Sequence, residues 1–129
     1  MKDFRSIKGT HDILPEDSYK WRHLESIVHQ VCAQFGYQEI RTPIFEQNKL
    51  FSRSVGEESD IVTKEMYSWE DKGNIFLTLR PELTASVVRA FNQHNLRNLS
   101  PIQRFYYICL LYTSPSPRDQ RGSRMAGSA

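Results

Sequence analysis

One run of residues constrains this chain more than any other: Ile75, Phe76, Leu77, Thr78 and Leu79, then Arg80, Pro81, Glu82, Leu83 and Thr84. The first five are apolar or β-branched and suit a strand. Pro81 has no amide hydrogen and a fixed φ, so it cannot continue a central strand, yet it fits the first turn of a helix. A strand therefore ends and a helix begins within a few residues. Glu82 and Thr84 project from the first turn of that helix, where backbone N–H groups have no intrahelical partner. A carboxylate and a hydroxyl there either cap those groups or face a ligand, and both readings stay open.

The rest of the chain supplies partners for this junction. Met66 to Trp69 is a second β-rich run, separated from Ile75 by Asp71-Lys72-Gly73-Asn74, residues that turns prefer, which predicts an antiparallel hairpin. The helix after Pro81 is expected to bury Leu83, Val87, Val88 and Phe91 and to fade from Asn92 to Asn95. Upstream, residues 1–14 read as an extended lead-in with a turn at Gly9, where positive φ is needed. A helix is expected over about 15–35. Pro15 suits its first position, Glu16 and Asp17 complement the positive end of its dipole, and Gly36 stops it. Trp21, Leu24, Val28, Val31 and Phe35 recur at helical spacing with Ile27 and Cys32 beside them, so one face should be buried, against its own domain or against a partner subunit. Tyr37 to Ile44 reads as a strand that Pro43 interrupts, and Glu46 to Val55 as a short helix with Leu50 and Phe51 inward, ended by Gly56. Residues 57–62 fit either a helical turn or a loop. Asn98 to Pro101 is a loop, and Ile102 to Ile108 a strand. Together these elements predict an α+β fold, an antiparallel sheet flanked by helices.

Four stretches in order make residues 5–108 resemble the amino-terminal part of the catalytic domain of a bacterial-type histidyl-tRNA synthetase, a class II aminoacyl-tRNA synthetase. They are Lys8 to Pro15 (Lys-Gly-Thr-His-Asp-Ile-Leu-Pro), Gly36 to Glu46, Glu65-Met66-Tyr67, and Thr78 to Thr84. Lys8 stands where arginine is more usual in the family. The resemblance implies that the 15–35 helix and the strand ending near Pro43 form the first signature motif and a homodimer interface, which makes Pro43 an interface candidate. As a plain reading, Pro43 is a structural proline at a strand edge. The resemblance also implies that Glu82 and Thr84 bind the α-amino group of histidine, with Leu83 between them where glycine is more common. An ammonium needs an ionised acceptor and neutral oxygens at short range, and that pair supplies both. Ile102 to Ile108 would begin the second motif, whose arginine holds the ATP α-phosphate and the amino-acid carboxylate. This chain has Cys109-Leu110-Leu111-Tyr112-Thr113 there, with Thr113 in the arginine's place. No catalytic residue and no metal ligand is therefore assigned. The full-length parent would use histidine, ATP, Mg2+ and tRNA-His; this chain is expected to bind no cofactor, to be inactive, and not to discriminate histidine. The alternative parent is the synthetase-like regulatory subunit of the ATP phosphoribosyltransferase of histidine biosynthesis.

Charge adds little. Arg118, Arg121 and Arg124 against Asp119 account for the net charge of +2, and the remainder holds fourteen basic and fourteen acidic residues. No basic patch can be read from composition, so the tRNA expectation rests on the resemblance alone. Two cysteines, Cys32 and Cys109, are too few for a disulfide framework. No apolar run is long enough for a signal peptide or a spanning helix, so the expected compartment is the cytoplasm, away from membranes. His11, His23, His29 and His94 lack metal-ligand spacing, and no glycine-rich phosphate loop or serine elbow occurs.

From Cys109 the pattern changes. The run Thr113-Ser114-Pro115-Ser116-Pro117-Arg118-Asp119 and the residues from there to Ala129 have no apolar periodicity, and such a segment cannot offset the entropy of ordering. Two segments are expected: 1–108, the synthetase-like core, and 109–129, a tail disordered beyond about Thr113. That tail reads as translated adaptor or vector sequence joined to a truncated frame; a basic arm on RNA is the other reading.

Overall fold

The structure is a computed structural model that describes residues 3–55 and 66–109, the last three of the first span by backbone only. The tail, the stop at Gly56, residues 57–62 and Thr113 lie outside the described residues.

Helix α1 spans Pro15–Gln34, with proline at its start and Glu16 and Asp17 in its first turn. It ends as the sequence predicts. Gly36 takes φ 76°, its N–H reaches Ala33 O at 3.1 Å, and the Tyr37 N–H reaches Cys32 O at 2.8 Å. That paired closure satisfies carbonyls the helix would otherwise leave open, and it needs a residue that tolerates the left-handed region. The lead-in turn is present too, with Gly9 at φ 93°.

The expected strand Tyr37 to Ile44 divides instead. Gln38–Glu39 (β1) pairs with Phe105–Tyr106 (β5) in parallel register, the Ile40 N–H adding a bond to Tyr106 O at 3.0 Å. The long strand expected at Ile102 to Ile108 is thus two residues, in a parallel pair. After Pro43 the chain resumes as Phe45–Gln47 (β2) and leads directly into Asn48–Val55 (α2), so Glu46 belongs to a strand and not to the helix. The proline lies where the chain passes from one sheet to the other, as its missing donor requires.

The second sheet is antiparallel with order β2-β4-β3, where β3 is Ser68–Glu70 and β4 is Phe76–Leu79. The predicted hairpin is present, turning through Asp71 to Asn74 with Asn74 at φ 59°. Register places Glu46, Thr78 and Ser68 side by side on one face. Helices cover that face: Asn48 Nδ2 donates to Thr78 Oγ1 at 2.8 Å, and Arg89 on helix α3 (Thr84–Gln93) donates to Glu46 Oε1 at 3.0 and 2.7 Å. Thr78 and Ser86 are fully buried, and Phe51, Leu83, Ala85 and Ala90 are the buried apolar residues. The other face carries Phe45, Trp69, Leu77 and Leu79, with the Phe45 and Trp69 rings edge to face at 5.8 Å. The alternation of β4 thus turns its leucines away from the helices.

The burial expected of α1 is not made among the described residues of this chain, and that of α3 is met only in part. Among the described residues α1 has no buried side chain, and Leu24, Ile27, Val31 and Phe35 are all exposed. On α3, Leu83 is buried but Val88 is exposed and Val87 and Phe91 are half-buried. Small residues, Ala85, Ser86 and Ala90, are the ones that helix buries.

Candidate ammonium site at the start of α3

Pro81 and Glu82 form the link between β4 and α3, and Leu83 is the N-cap residue. Helix formation begins at Thr84, so Pro81 precedes the first turn instead of occupying it. Arg80 holds this link against the segment around Pro43: its backbone N–H donates to Ile44 O at 3.0 Å and its Nη1 to Thr42 O at 3.0 Å.

Glu82 is half-buried and its carboxylate faces the helix end. Oε2 accepts from the Thr84 N–H at 2.5 Å, and the Ala85 N–H lies 3.1 Å from Oε1 and 3.3 Å from Oε2. Of the two readings of Glu82, capping is realised in this state. An ionised carboxylate has about four lone-pair sites, so two N–H donors leave acceptor capacity. Thr84 is exposed, and its Oγ1 is 3.4 Å from Tyr107 Oη. Leu83 is 5% exposed, so its side chain is packed in the core. Its φ of −105° is open to any L-residue, and the position makes no demand for glycine. Pro43 is exposed between β1 and β2, distant in sequence but tied to the site through Arg80.

Spacing arguments missed a second polar cluster, because it joins residues far apart in the chain. His29 Nδ1 on α1 is 2.5 Å from Tyr106 Oη and 3.2 Å from Glu39 Oε2, and Glu39 also pairs with Arg41. The Glu39 hydrogen bond and charge hold the Arg41 guanidinium above its usual range. Burial pushes the Tyr106 phenol up, and the nearby Glu39 charge adds to it. Among the described residues no three His, Cys, Asp or Glu side chains gather as a metal site would require. No described helix is long and apolar enough to cross a membrane.

The antiparallel sheet carries helices on one face and an acid and a hydroxyl at its strand-to-helix junction, an α+β arrangement. The family model described as histidyl-tRNA synthetase matches residues 9–126. A histidine–tRNA ligase of Thermotoga sp. (strain RQ2) is 52% identical over 92% of this chain and 28% of its own length. The apo histidyl-tRNA synthetase of S. aureus superposes with a TM-score of 0.67 at 42% identity, over 81% of this chain and 28% of that one. A protein of Bacillus halodurans described as an ATP phosphoribosyltransferase regulatory subunit/histidyl-tRNA synthetase reaches the same TM-score at 24% identity, with 81% of this chain and 26% of that one covered, and so shares the fold. The chain belongs to the histidyl-tRNA synthetase family. It spans between 27% and 32% of the length of the curated relatives it matches.

Proposed function

We propose that this chain carries the part of a histidine–tRNA ligase that holds the α-amino group of the amino acid, at Glu82, Leu83 and Thr84. In the whole enzyme a histidine carboxylate oxygen would attack the α-phosphorus of ATP with loss of pyrophosphate, and a ribose hydroxyl of the terminal adenosine of tRNA-His would then take the histidyl group from the adenylate with loss of AMP. Such a displacement depends on positioning and on positive charge near the phosphates, and magnesium would supply part of that charge. What these residues contribute is orientation: Glu82 accepts from the ammonium and Thr84 adds a neutral oxygen, while Leu83 fixes both from the core side. The observation that carries the reading is a carboxylate with spare acceptor capacity beside an exposed hydroxyl, in a chain of this family.

Residues 1–108 act in this reading as the synthetase core and 109–129 as an appended tail without a role in the site. Histidine, ATP with magnesium, and tRNA-His are partners of the whole enzyme, in the cytoplasm. The exposed face of α1, together with the exposed Pro43, is the surface a second copy would cover, because Leu24, Ile27, Val31 and Phe35 form one apolar stripe that the described residues leave open. The synthetase reading is favoured over the regulatory-subunit reading by curated relatives described as histidine–tRNA ligases at 42% to 53% identity.

The test is a titration of the full chain with L-histidine and, separately, with N-acetyl-L-histidine, which lacks the ammonium, followed at the Thr84 and Ala85 amides by NMR. Shifts with the first ligand only, weakened at least tenfold in Glu82→Gln, are expected from losing a charge-assisted contact. Equal responses to both ligands would refute the reading.

A further inference from the structure

We propose that Tyr107 is the third wall of this site, a residue that positions the Thr84 hydroxyl and adds its own oxygen for the ammonium. The inference rests on the reading of Glu82 and Thr84 given above.

Consecutive side chains of extended backbone point to opposite sides. At the end of β5 that alternation sends the two neighbouring tyrosines to different helices. Tyr106 Oη meets His29 on α1 at 2.5 Å; Tyr107 Oη meets Thr84 on α3 at 3.4 Å. The first contact is tight and closes a polar cluster. The second is longer than the 2.7–2.8 Å usual between hydroxyls, and it is open: Tyr107 is 40% exposed and Thr84 is exposed. Two hydroxyls so placed share at most one hydrogen between them, and their remaining lone pairs stay available.

A primary ammonium carries three N–H donors and accepts nothing. Thr84 joins the oxygens that could serve it, for its N–H binds the Glu82 carboxylate at 2.5 Å while its hydroxyl faces Tyr107. The site then offers one carboxylate and two hydroxyls. The start of α3 works against a cation through its dipole, so an oxygen brought from another element has a purpose that the helix end cannot fill. Tyr107 comes from the β5 segment and approaches from outside the helix.

The experiment uses the full chain labelled with 15N and with 13C at tyrosine Cζ, titrated with L-histidine. The expected result is movement of the Thr84 amide and of Tyr107 Cζ with no movement of Tyr106 Cζ, and a dissociation constant about three- to tenfold weaker in Tyr107→Phe, the loss of one neutral hydrogen bond. Tyr106→Phe should bind as the unaltered chain does. If histidine moves Thr84 and Ala85 while Tyr107 Cζ stays and Tyr107→Phe binds equally well, Tyr107 is excluded and the Glu82 and Thr84 reading survives. If histidine moves neither amide, both fall together. Should Tyr107→Phe not fold, the Cζ response of the unaltered chain decides.

Discussion

Ser86 is fully buried and its hydroxyl has no hydrogen-bond partner among the described residues. A buried hydroxyl left unpaired costs free energy that alanine avoids, and alanine is also the better helix former. Ser86→Ala is expected to stabilise the chain by about 1 kcal/mol, read as a higher urea midpoint. Tyr106 gives a prediction in pH. Its phenol is raised above the ordinary value of 10.0 by burial first and by Glu39 second, so the native state holds this proton more tightly than the unfolded chain does. The stability so contributed is complete below about pH 10 and is lost as pH rises through the higher native value. Between pH 8 and pH 11 the urea midpoint of the unaltered chain should therefore fall further than that of Tyr106→Phe. The sequence located Glu82 and Thr84 at the junction but could not decide what Glu82 faces, because an N-terminal acid suits a cap and a ligand equally. Tyr107 was not legible at all: its partner is on another element, and a tyrosine in a run of aromatic residues reads as core.

The elements were legible where local chemistry decides them. Pro15 and Gly36 bracket α1, and the Asp71 to Asn74 turn yields the hairpin, each for reasons contained in a few residues. Strand lengths were not, since pairing depends on distant segments: Ile102 to Ile108 has the composition of a long strand but pairs over two residues. The buried face of β4 also escaped. Alternation gives two faces, and the polar one, with Thr78 between Glu46 and Ser68, lies beneath the helices because hydrogen bonds from Asn48 and Arg89 satisfy it. The Glu46 side chain is 9% exposed and Arg89 27%, so losing the cation strands a largely dehydrated carboxylate. Arg89→Met is expected to cost about 2–4 kcal/mol, and Glu46→Gln with Arg89→Met together less than the sum of the single changes. A double-mutant cycle on urea midpoints reads this directly, and additive costs would show that the pair does not couple α3 to β2.

For the molecule as a whole, family membership was legible because four motifs in order leave few alternatives, and the sheet class came with them. The uncovered stripe of α1 was only half legible: periodicity shows that a face is apolar and says nothing about what lies against it. We expect the purified 129-residue chain to show no histidine-dependent exchange of pyrophosphate into ATP above a Glu82→Ala control, because the resemblance puts Thr113 where the second motif of the family would bring an arginine. Turnover above that control would require another cation to do the arginine's work. Arg80 has a last consequence at this scale. By gripping carbonyls on both sides of Pro43, at Thr42 and Ile44, it staples the crossing point between the sheets to the residue two places before Glu82. A nick or an inserted residue between 42 and 44 would therefore slacken the strand-to-helix junction at Glu82 as well as the bend, so that a splice site chosen for being exposed would turn out to loosen a distant helix start.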